Sequence, residues 1–117
     1  MPTYLLVYRS ATNSPPADQD VMAAWQAFFE EIGSSLADIG NPIFARNELG
    51  DCSNATTVLG GYSIITADDL QTAIELAGRC PELSREGGVE VGEITLLSPD
   101  SAAGITDHHA QAASRPT

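Results

Sequence analysis

The sequence predicts an α+β domain in which two helices cover one face of a four-stranded antiparallel sheet. Residues 60–97 follow the pattern of a strand, a capped helix and a second strand. Two strands and an amphipathic helix are predicted earlier in the chain, which gives the order βαββαβ. A length of 117 residues is enough for one domain with one core.

The first strand is predicted over Thr3–Arg9. Leu5 and Val7 alternate with Leu6 and Tyr8, so both faces of this strand are apolar. A strand with two apolar faces is normally covered on both sides. We therefore expect packing partners on each face of the sheet.

A long amphipathic helix is predicted from Asp18 to Ile39. Its apolar residues recur at spacings of three and four, as is typical of a helix that faces a core: Met22, Trp25, Phe29, Ile32, Leu36 and Ile39. The sequence Gly40-Asn41-Pro42 is expected to end this helix. A weaker second strand is expected directly afterwards, over Ile43–Leu49.

The second helix is predicted to follow the third strand, which runs from residue 60 to Ala67. Asp68 stands three residues before Gln71, which is the spacing of a capping box. Pro81 disfavours helical backbone at the residue before it, so the helix is expected to end near Arg79.

The fourth strand is predicted over Val89–Leu97, and it completes the order of a ferredoxin-like domain. This strand is also apolar on both faces, whereas the two helices cover only one face of the sheet. A second copy of the chain is the economical cover for the other face, which predicts an isologous homodimer. A ligand cleft is then expected between the two sheets.

The chain carries five basic residues, all of them arginine, against sixteen acidic residues, and its net charge is −11. This charge repels a phosphate backbone, so we expect no nucleic-acid partner. No apolar stretch has the length of a signal or membrane segment, and we expect a soluble cytoplasmic protein. Cys52 and Cys80 are expected to be free thiols.

Residues 99–117 are small, polar and aperiodic, and they predict a flexible tail beyond a domain of residues 1–98. The only histidines, His108 and His109, lie in this tail, and two adjacent histidines do not make a metal site. The sequence contains no phosphate loop, dinucleotide fingerprint or metal motif. We therefore expect neither a cofactor nor a metal.

Several short phrases carry a family resemblance: Tyr8-Arg9, Trp25, Asp38–Pro42, Gly61–Ile64, Ala67–Leu70, Cys80–Leu83 and Gly87–Ile94. Through them, residues 3–97 resemble the YCII-related proteins, small dimeric α+β barrel domains of ferredoxin-like topology. The resemblance implies a homodimer with a ligand-sized cleft. It implies no catalytic dyad, because the His–Asp pair proposed as an active site in some members cannot be matched here. The DGPF signature of a sister branch is absent as well.

Glu90 and Glu93 are the candidates for acid–base chemistry. Strand alternation around Gly92 points them to opposite faces, or a bulge at Gly92 re-aims Glu93. A carboxylate in a semi-apolar cavity can act as a general acid or base. The alternative is a structural ion pair with Arg9 or Arg46 that holds the interface together.

Arg9, Tyr62, Ser63 and Glu90 form the predicted ligand-binding set. Arg9 could clamp an anionic group of a ligand, or it could pair with Glu90 across the sheet. Tyr62 and Ser63 offer hydroxyl groups on opposite faces of the third strand. Ser63 has no neighbouring histidine to act as a base, so nucleophilic catalysis is not expected.

These observations favour a homodimer that binds a small molecule in a cleft between the two sheets, without a catalytic role. The alternative is a cofactor-free enzyme, an isomerase or lyase that uses acid–base chemistry on a small hydrophobic substrate. A third hypothesis is a structural interaction module with no usable cavity.

Overall fold

A computed structural model describes residues 1–52 and 55–97, so the predicted tail lies outside the described residues. Within these ranges the chain forms four strands and two α-helices, joined by loops and two 3₁₀ turns. The strands are β1 (Thr3–Ala11), β2 (Leu36–Pro42), β3 (Thr57–Thr66) and β4 (Gly88–Glu93), and the helices are α1 (Gln19–Glu31) and α2 (Leu70–Ala77). Among the described residues, no helix has the length and apolar character needed to cross a membrane.

The four strands form one antiparallel sheet in the order β2-β3-β1-β4. The central strands, β1 and β3, pair along their whole length, from Thr3 opposite Thr66 to Ala11 opposite Thr57. The predicted fold class is therefore confirmed: the described chain is an α+β domain of ferredoxin-like topology.

The predicted boundary between the first helix and the second strand is wrong. Helix α1 ends at Glu31, a 3₁₀ turn follows, and Leu36–Pro42 pairs with β3 as strand β2. The residues predicted as the second strand, Ile43–Leu49, form a loop. Gly33 and the two serines after it explain the early stop, because glycine is costly inside a helix and serine competes for backbone hydrogen bonds.

The predicted cap of the second helix is displaced by one residue. Asp69, and not Asp68, caps α2: its Oδ1 accepts a hydrogen bond of 2.8 Å from the backbone N–H of Thr72. This bond lowers the pKa of the Asp69 carboxyl group. The predicted start of α1 at Asp18 is confirmed, since the Asp18 side chain accepts a hydrogen bond of 2.9 Å from Val21 N–H.

Strands β3 and β4 also differ from the prediction at one end each. β3 begins at Thr57, earlier than predicted, because β1 continues to Ala11 and supplies a pairing partner. β4 ends at Glu93, opposite Tyr4, because β1 begins at Thr3 and leaves residues 95–97 without a strand to pair with.

Both helices pack on the same face of the sheet. The core on this face combines buried side chains of the two central strands with side chains of both helices: Tyr4, Leu6, Tyr8, Phe28, Ile32, Ile65, Ala73 and Ala77. On the other face, Leu5, Val7, Tyr62 and Ile64 are half-buried. No helix of the described chain covers that open face.

Candidate functional site

A pocket of about 690 Å³ lies on the helix side of the sheet, between α1 and the edge where β1 ends. Its inner wall is aromatic and consists of Tyr8, Trp25 and Phe29. Loop residues 12–17 and 43–46 contribute to its outer wall. Its volume falls within the range of roughly 300–1,000 Å³ that is usual for small-molecule sites.

The aromatic wall is held by edge-to-face and tilted ring contacts. The ring centroids of Tyr8 and Trp25 are 4.8 Å apart at an interplanar angle of 78°. Phe29 lies 5.6 Å from Trp25, and the buried Phe28 supports all three rings from behind. Each pair of this kind contributes about 0.5–1.5 kcal/mol beyond the area it buries. The wall is therefore a preformed apolar surface that suits a flat ligand.

Gly40 brings β2 against β3 at the rim of the pocket. Its φ of +77° lies in the left-handed region, and a Cβ built there would overlap the carbonyl group of Tyr62. Only glycine can adopt this φ without strain and also leave room for the Tyr62 carbonyl group. The close approach of β2 depends on this residue.

Two buried hydroxyl groups fix the ring of Tyr8. The Tyr8 hydroxyl donates a hydrogen bond of 2.8 Å to Ser63 Oγ, and Ser63 Oγ donates one of 2.6 Å to the Ile39 carbonyl oxygen. Burial raises the pKa of Tyr8 to about 12, so the phenol stays protonated at neutral pH. Ser63, a predicted ligand-binding residue, is itself fully buried, and it holds a residue of the pocket wall.

One end of the pocket is polar. Glu82 is only 5% exposed, and its Oε2 accepts a hydrogen bond of 3.1 Å from Ser10 Oγ. The same oxygen lies 4.0 Å from Arg85 Nη1, and Arg85 Nη2 donates a hydrogen bond of 3.0 Å to the carbonyl oxygen of Pro15. Glu82 Oε1 is buried and has no hydrogen-bond partner among the described residues. Ser10, Glu82 and Arg85 all line the pocket, and sequence analysis missed all three.

Arg9 and Tyr62, two other predicted site residues, make contacts within the chain. The Arg9 guanidinium donates hydrogen bonds to the carbonyl oxygen of Thr57, at 2.8 Å, and to Thr57 Oγ1, at 3.2 Å. Tyr62 borders the pocket at the β2 edge, where its hydroxyl accepts a hydrogen bond of 3.3 Å from Asn41 Nδ2. In the single protomer, Arg9 binds the neighbouring strand and does not line the pocket.

Glu90 and Glu93 are exposed and lie outside the pocket. Glu90 stands opposite Val7 on the open face, and Glu93 stands opposite Tyr4. Tyr4 has a raised pKa, chiefly because of burial and secondly because of the Glu93 charge. In residues 1–52 and 55–97, neither glutamate forms an ion pair with an arginine. Their role in a cleft between two sheets requires a second copy of the chain and stays a prediction.

The two cysteines are free, as predicted, and their environments differ. Cys52 is exposed, whereas Cys80 is buried. Burial raises the pKa of the Cys80 thiol to about 11, so this thiol is unreactive at neutral pH. Within the described part of the chain, no three His, Cys, Asp or Glu side chains lie close enough together to hold a metal ion.

Comparison with known proteins supports the fold. No protein-family model matches the sequence, and no curated protein does. The structure is similar to that of 5-chloro-2-hydroxyhydroquinone dehydrochlorinase from Burkholderia phenoliruptrix, solved in complex with 2,5-dihydroxybenzoquinone. The TM-score is 0.51 at 17% sequence identity, over 80% of this chain and 95% of that one. At this identity the likeness shows that the two chains share the ferredoxin-like α+β fold.

Proposed function

We propose that this protein is a YCII-related homodimer that binds a small, largely apolar molecule with a flat ring. The observation that carries the proposal is the pocket of about 690 Å³ with its wall of Tyr8, Trp25 and Phe29. Rigid aromatic walls with a few convergent polar groups are typical of small-molecule sites.

The proposed binding position lies within one protomer, between α1 and the sheet. The sequence led us to expect a cleft between two sheets, and that expectation remains untested. The helix-side pocket is the better supported position, because all of its lining residues belong to a single chain and its aromatic rings are already packed against one another.

The homodimer is supported by the open face of the sheet. Leu5, Val7 and Ile64 present three aliphatic side chains there, beside the ring of Tyr62. A contiguous apolar surface of this kind usually marks an interface. A second copy of the sheet is a cover of matching shape and chemistry.

The structural neighbour suggests the first compounds to test. That enzyme was solved with 2,5-dihydroxybenzoquinone, a single flat ring that carries several oxygen atoms. A ring of this size fits the pocket described here, and the polar end at Ser10, Glu82 and Arg85 offers partners for ring oxygens. We therefore propose oxygenated aromatic or quinonoid compounds as the ligand class.

Trp25 provides a direct test, because it is the only tryptophan and it lines the pocket. Its indole N–H gives a single, well-separated signal in a nitrogen–proton correlation spectrum. Titration with 2-naphthol or 2,5-dihydroxybenzoquinone is expected to shift this signal in a saturable way. Ala17→Phe narrows the pocket mouth and is expected to weaken the shift, whereas Ala23→Phe changes an exposed alanine of α1 outside the pocket and should not. An unmoved indole signal, or equal shifts in both variants, contradicts the proposal.

A cofactor-free enzyme is the second candidate, and the buried carboxyl group of Glu82 at the pocket favours it. A carboxyl group in an apolar pocket is a suitable general acid or base. The measurement is the exchange of the ring protons of 2,5-dihydroxybenzoquinone for deuterium in heavy water, followed by proton NMR. An enzyme with acid–base chemistry accelerates this exchange over buffer, and Glu82→Gln abolishes the acceleration. Equal rates with and without protein argue for binding alone.

A further inference from the structure

We propose that the pocket selects a ligand whose flat ring carries a carboxylate group, and that the guanidinium group of Arg46 binds this carboxylate. The inference rests on the proposed small-molecule function and narrows the ligand class to aromatic carboxylates. Three observations carry it: the sign of the charge around the pocket, the hydrogen bonds of the Arg46 guanidinium group, and the apolar inner wall.

The ionisable side chains around the pocket carry an excess of positive charge, although the protein is strongly acidic. Its net charge is −11, yet the pocket is lined by two arginines, Arg46 and Arg85, and by one acidic residue, Glu82. Glu82 Oε2 lies 4.0 Å from Arg85 Nη1, so these two charges offset each other. In residues 1–52 and 55–97, Arg46 forms no ion pair. Surface carboxylates farther than about 8 Å away are largely screened at physiological ionic strength, so the charge of Arg46 favours an anion in the pocket.

The Arg46 guanidinium group is held by its own loop and keeps one edge available to a ligand. Its Nη1 donates a hydrogen bond of 3.2 Å to the carbonyl oxygen of Phe44 and a longer one of 3.5 Å to that of Ile43. All three residues line the pocket. Within the part of the chain that the structure describes, Nε and Nη2 of Arg46 have no hydrogen-bond acceptor. Their N–H groups are parallel, which is the geometry that binds both oxygens of one carboxylate.

Arg85, the other arginine of the pocket, is less suited to an anionic ligand. Its Nη2 already donates a hydrogen bond of 3.0 Å to the carbonyl oxygen of Pro15. A second carboxylate at Arg85 would also stand close to the carboxylate of Glu82, and like charges repel each other. Arg46 is therefore the better binding partner for an anion.

The aromatic inner wall and the amount of charge indicate which anion is favoured. Tyr8, Trp25 and Phe29 form this wall, so the anionic group has to be attached to a flat apolar body. A carboxylate carries one negative charge, which matches the single unpaired charge of Arg46. A phosphate ester carries about 1.5–2 negative charges at neutral pH, which exceeds it. These features together favour a carboxylate on an aromatic ring.

The test compares 2-naphthoate with 2-naphthamide, two probes of similar shape that differ in charge. Each is titrated into the full-length protein by calorimetry at neutral pH. The wild-type protein is expected to bind 2-naphthoate about tenfold more tightly, because bidentate hydrogen bonds between charged groups are stronger than those to a neutral amide.

Substitutions of Arg46 show whether this residue causes the preference. Arg46→Gln is expected to bind the two probes equally, through a loss of affinity for 2-naphthoate. Arg46→Lys keeps the charge but lacks the planar pair of donors, and it is expected to retain a preference of about threefold. Because Arg46 is exposed, both variants are expected to fold, and thermal melts check this.

Arg79→Gln is the matched control, because it removes the same charge from an exposed arginine that does not line the pocket. It is expected to keep the wild-type preference for 2-naphthoate. Equal wild-type affinity for the two probes, an unchanged preference in Arg46→Gln, or an equal loss in Arg46→Gln and Arg79→Gln overturns the role of Arg46 while the pocket proposal stands. If the wild-type protein binds neither of these probes nor 2-naphthol, both proposals fail.

Discussion

The hydroxyl groups of Tyr8 and Ser63 lie 2.8 Å apart, in a hydrogen bond that joins β1 to β3 beneath helix α1. Ser63 Oγ in turn donates a hydrogen bond of 2.6 Å to the carbonyl oxygen of Ile39 in β2. Three strands are thus tied together by side chains at one buried point next to the pocket. Because Tyr8 also forms part of the aromatic wall, this link couples the stability of the sheet to the shape of the pocket.

Removing either hydroxyl group should destabilise the protein, and the two variants should differ. Ser63→Ala leaves both the Tyr8 hydroxyl and the Ile39 carbonyl without this partner, and we expect a loss of about 1–3 kcal/mol in the free energy of unfolding. Tyr8→Phe leaves the bond from Ser63 to Ile39 intact, and we expect a loss of about 0.5–1.5 kcal/mol. Urea denaturation of both variants measures the difference. A larger loss for Tyr8→Phe would contradict the proposed order.

Substitution of two neighbouring aspartates, Asp68 and Asp69, tests which of them caps α2. Asp69→Ala removes the acceptor of the Thr72 N–H and should lower the melting temperature by a few degrees, whereas Asp68→Ala should have little effect. The pKa of Asp69 is lowered from 3.8, so its stabilising effect is present above about pH 4 and is lost as the pH falls further. Thermal melts should show that the difference in melting temperature between the wild-type protein and Asp69→Ala is smaller at pH 2.5 than at pH 7. An effect of Asp68→Ala as large as that of Asp69→Ala would refute the assignment.

The two thiols should react at very different rates. Exposed Cys52 should react with a disulfide reagent at pH 8, whereas Cys80, which is buried and has a pKa raised to about 11, should react only after unfolding. The Cys52→Ser variant should therefore show no fast thiol in buffer and one thiol in urea. A fast thiol in folded Cys52→Ser would mean that Cys80 is accessible.

Raised pKa values also predict loss of stability in alkali. Burial raises the pKa of the Cys80 thiol from 9.0 to about 11 and the pKa of the Tyr8 hydroxyl group from 10.0 to about 12. The folded protein therefore holds these protons more tightly than the unfolded chain does. Their contribution is complete below about pH 9 and declines as the pH rises through 11 and 12. Urea midpoints between pH 8 and pH 11 should fall, and they should fall less steeply in Cys80→Ala. A flat profile would show that neither proton is held by burial.

The proposed dimer is tested by a charge on the open face. Val7→Arg places a cation among Leu5, Tyr62 and Ile64, and burying a charge in an apolar interface is costly even though Glu90 stands opposite, because both charged groups must lose their water. We expect the wild-type protein to sediment as a dimer and Val7→Arg as a folded monomer. Ala23→Arg adds the same charge at an exposed position of α1 and should remain dimeric. A wild-type monomer at high protein concentration would remove the dimer from the proposed function.

The order of elements could be predicted from the sequence because capping residues and periodic apolar positions act locally. The start of α1 at Asp18 is an example, since its cap is formed three residues away. Strand β2 was missed because its pairing with β3 is irregular on both sides of Asp38, so its side chains do not follow the period of two. The spacing of Leu36 and Ile39 instead continued the pattern of the preceding helix.

The polar end of the pocket could not be predicted for a different reason. Glu82 lies in a short turn between α2 and β4, and its buried carboxyl group accepts a hydrogen bond from Ser10, which is 72 positions away in the sequence. No local pattern distinguishes such a glutamate from an exposed one. Glu90 and Glu93 could be proposed from the sequence because they lie on a recognisable strand, and in the protomer both are exposed.

The outer wall of the pocket is formed in part by a loop that takes no part in strand pairing. Ile43, Phe44 and Arg46 line the pocket, but they form no strand pairing, and Phe44 is 83% exposed. Among the residues that the structure describes, one backbone hydrogen bond ties these three residues to the sheet, from the Ile43 N–H to the carbonyl oxygen of Gly60 at 3.0 Å. The outer wall can therefore vary apart from the residues that hold the sheet, whereas the aromatic wall around Tyr8 cannot. Substitution at Phe44 and Arg46 can therefore change which ligands the pocket binds while the pairing of the strands is kept. This small domain can acquire new ligands in this way without losing stability.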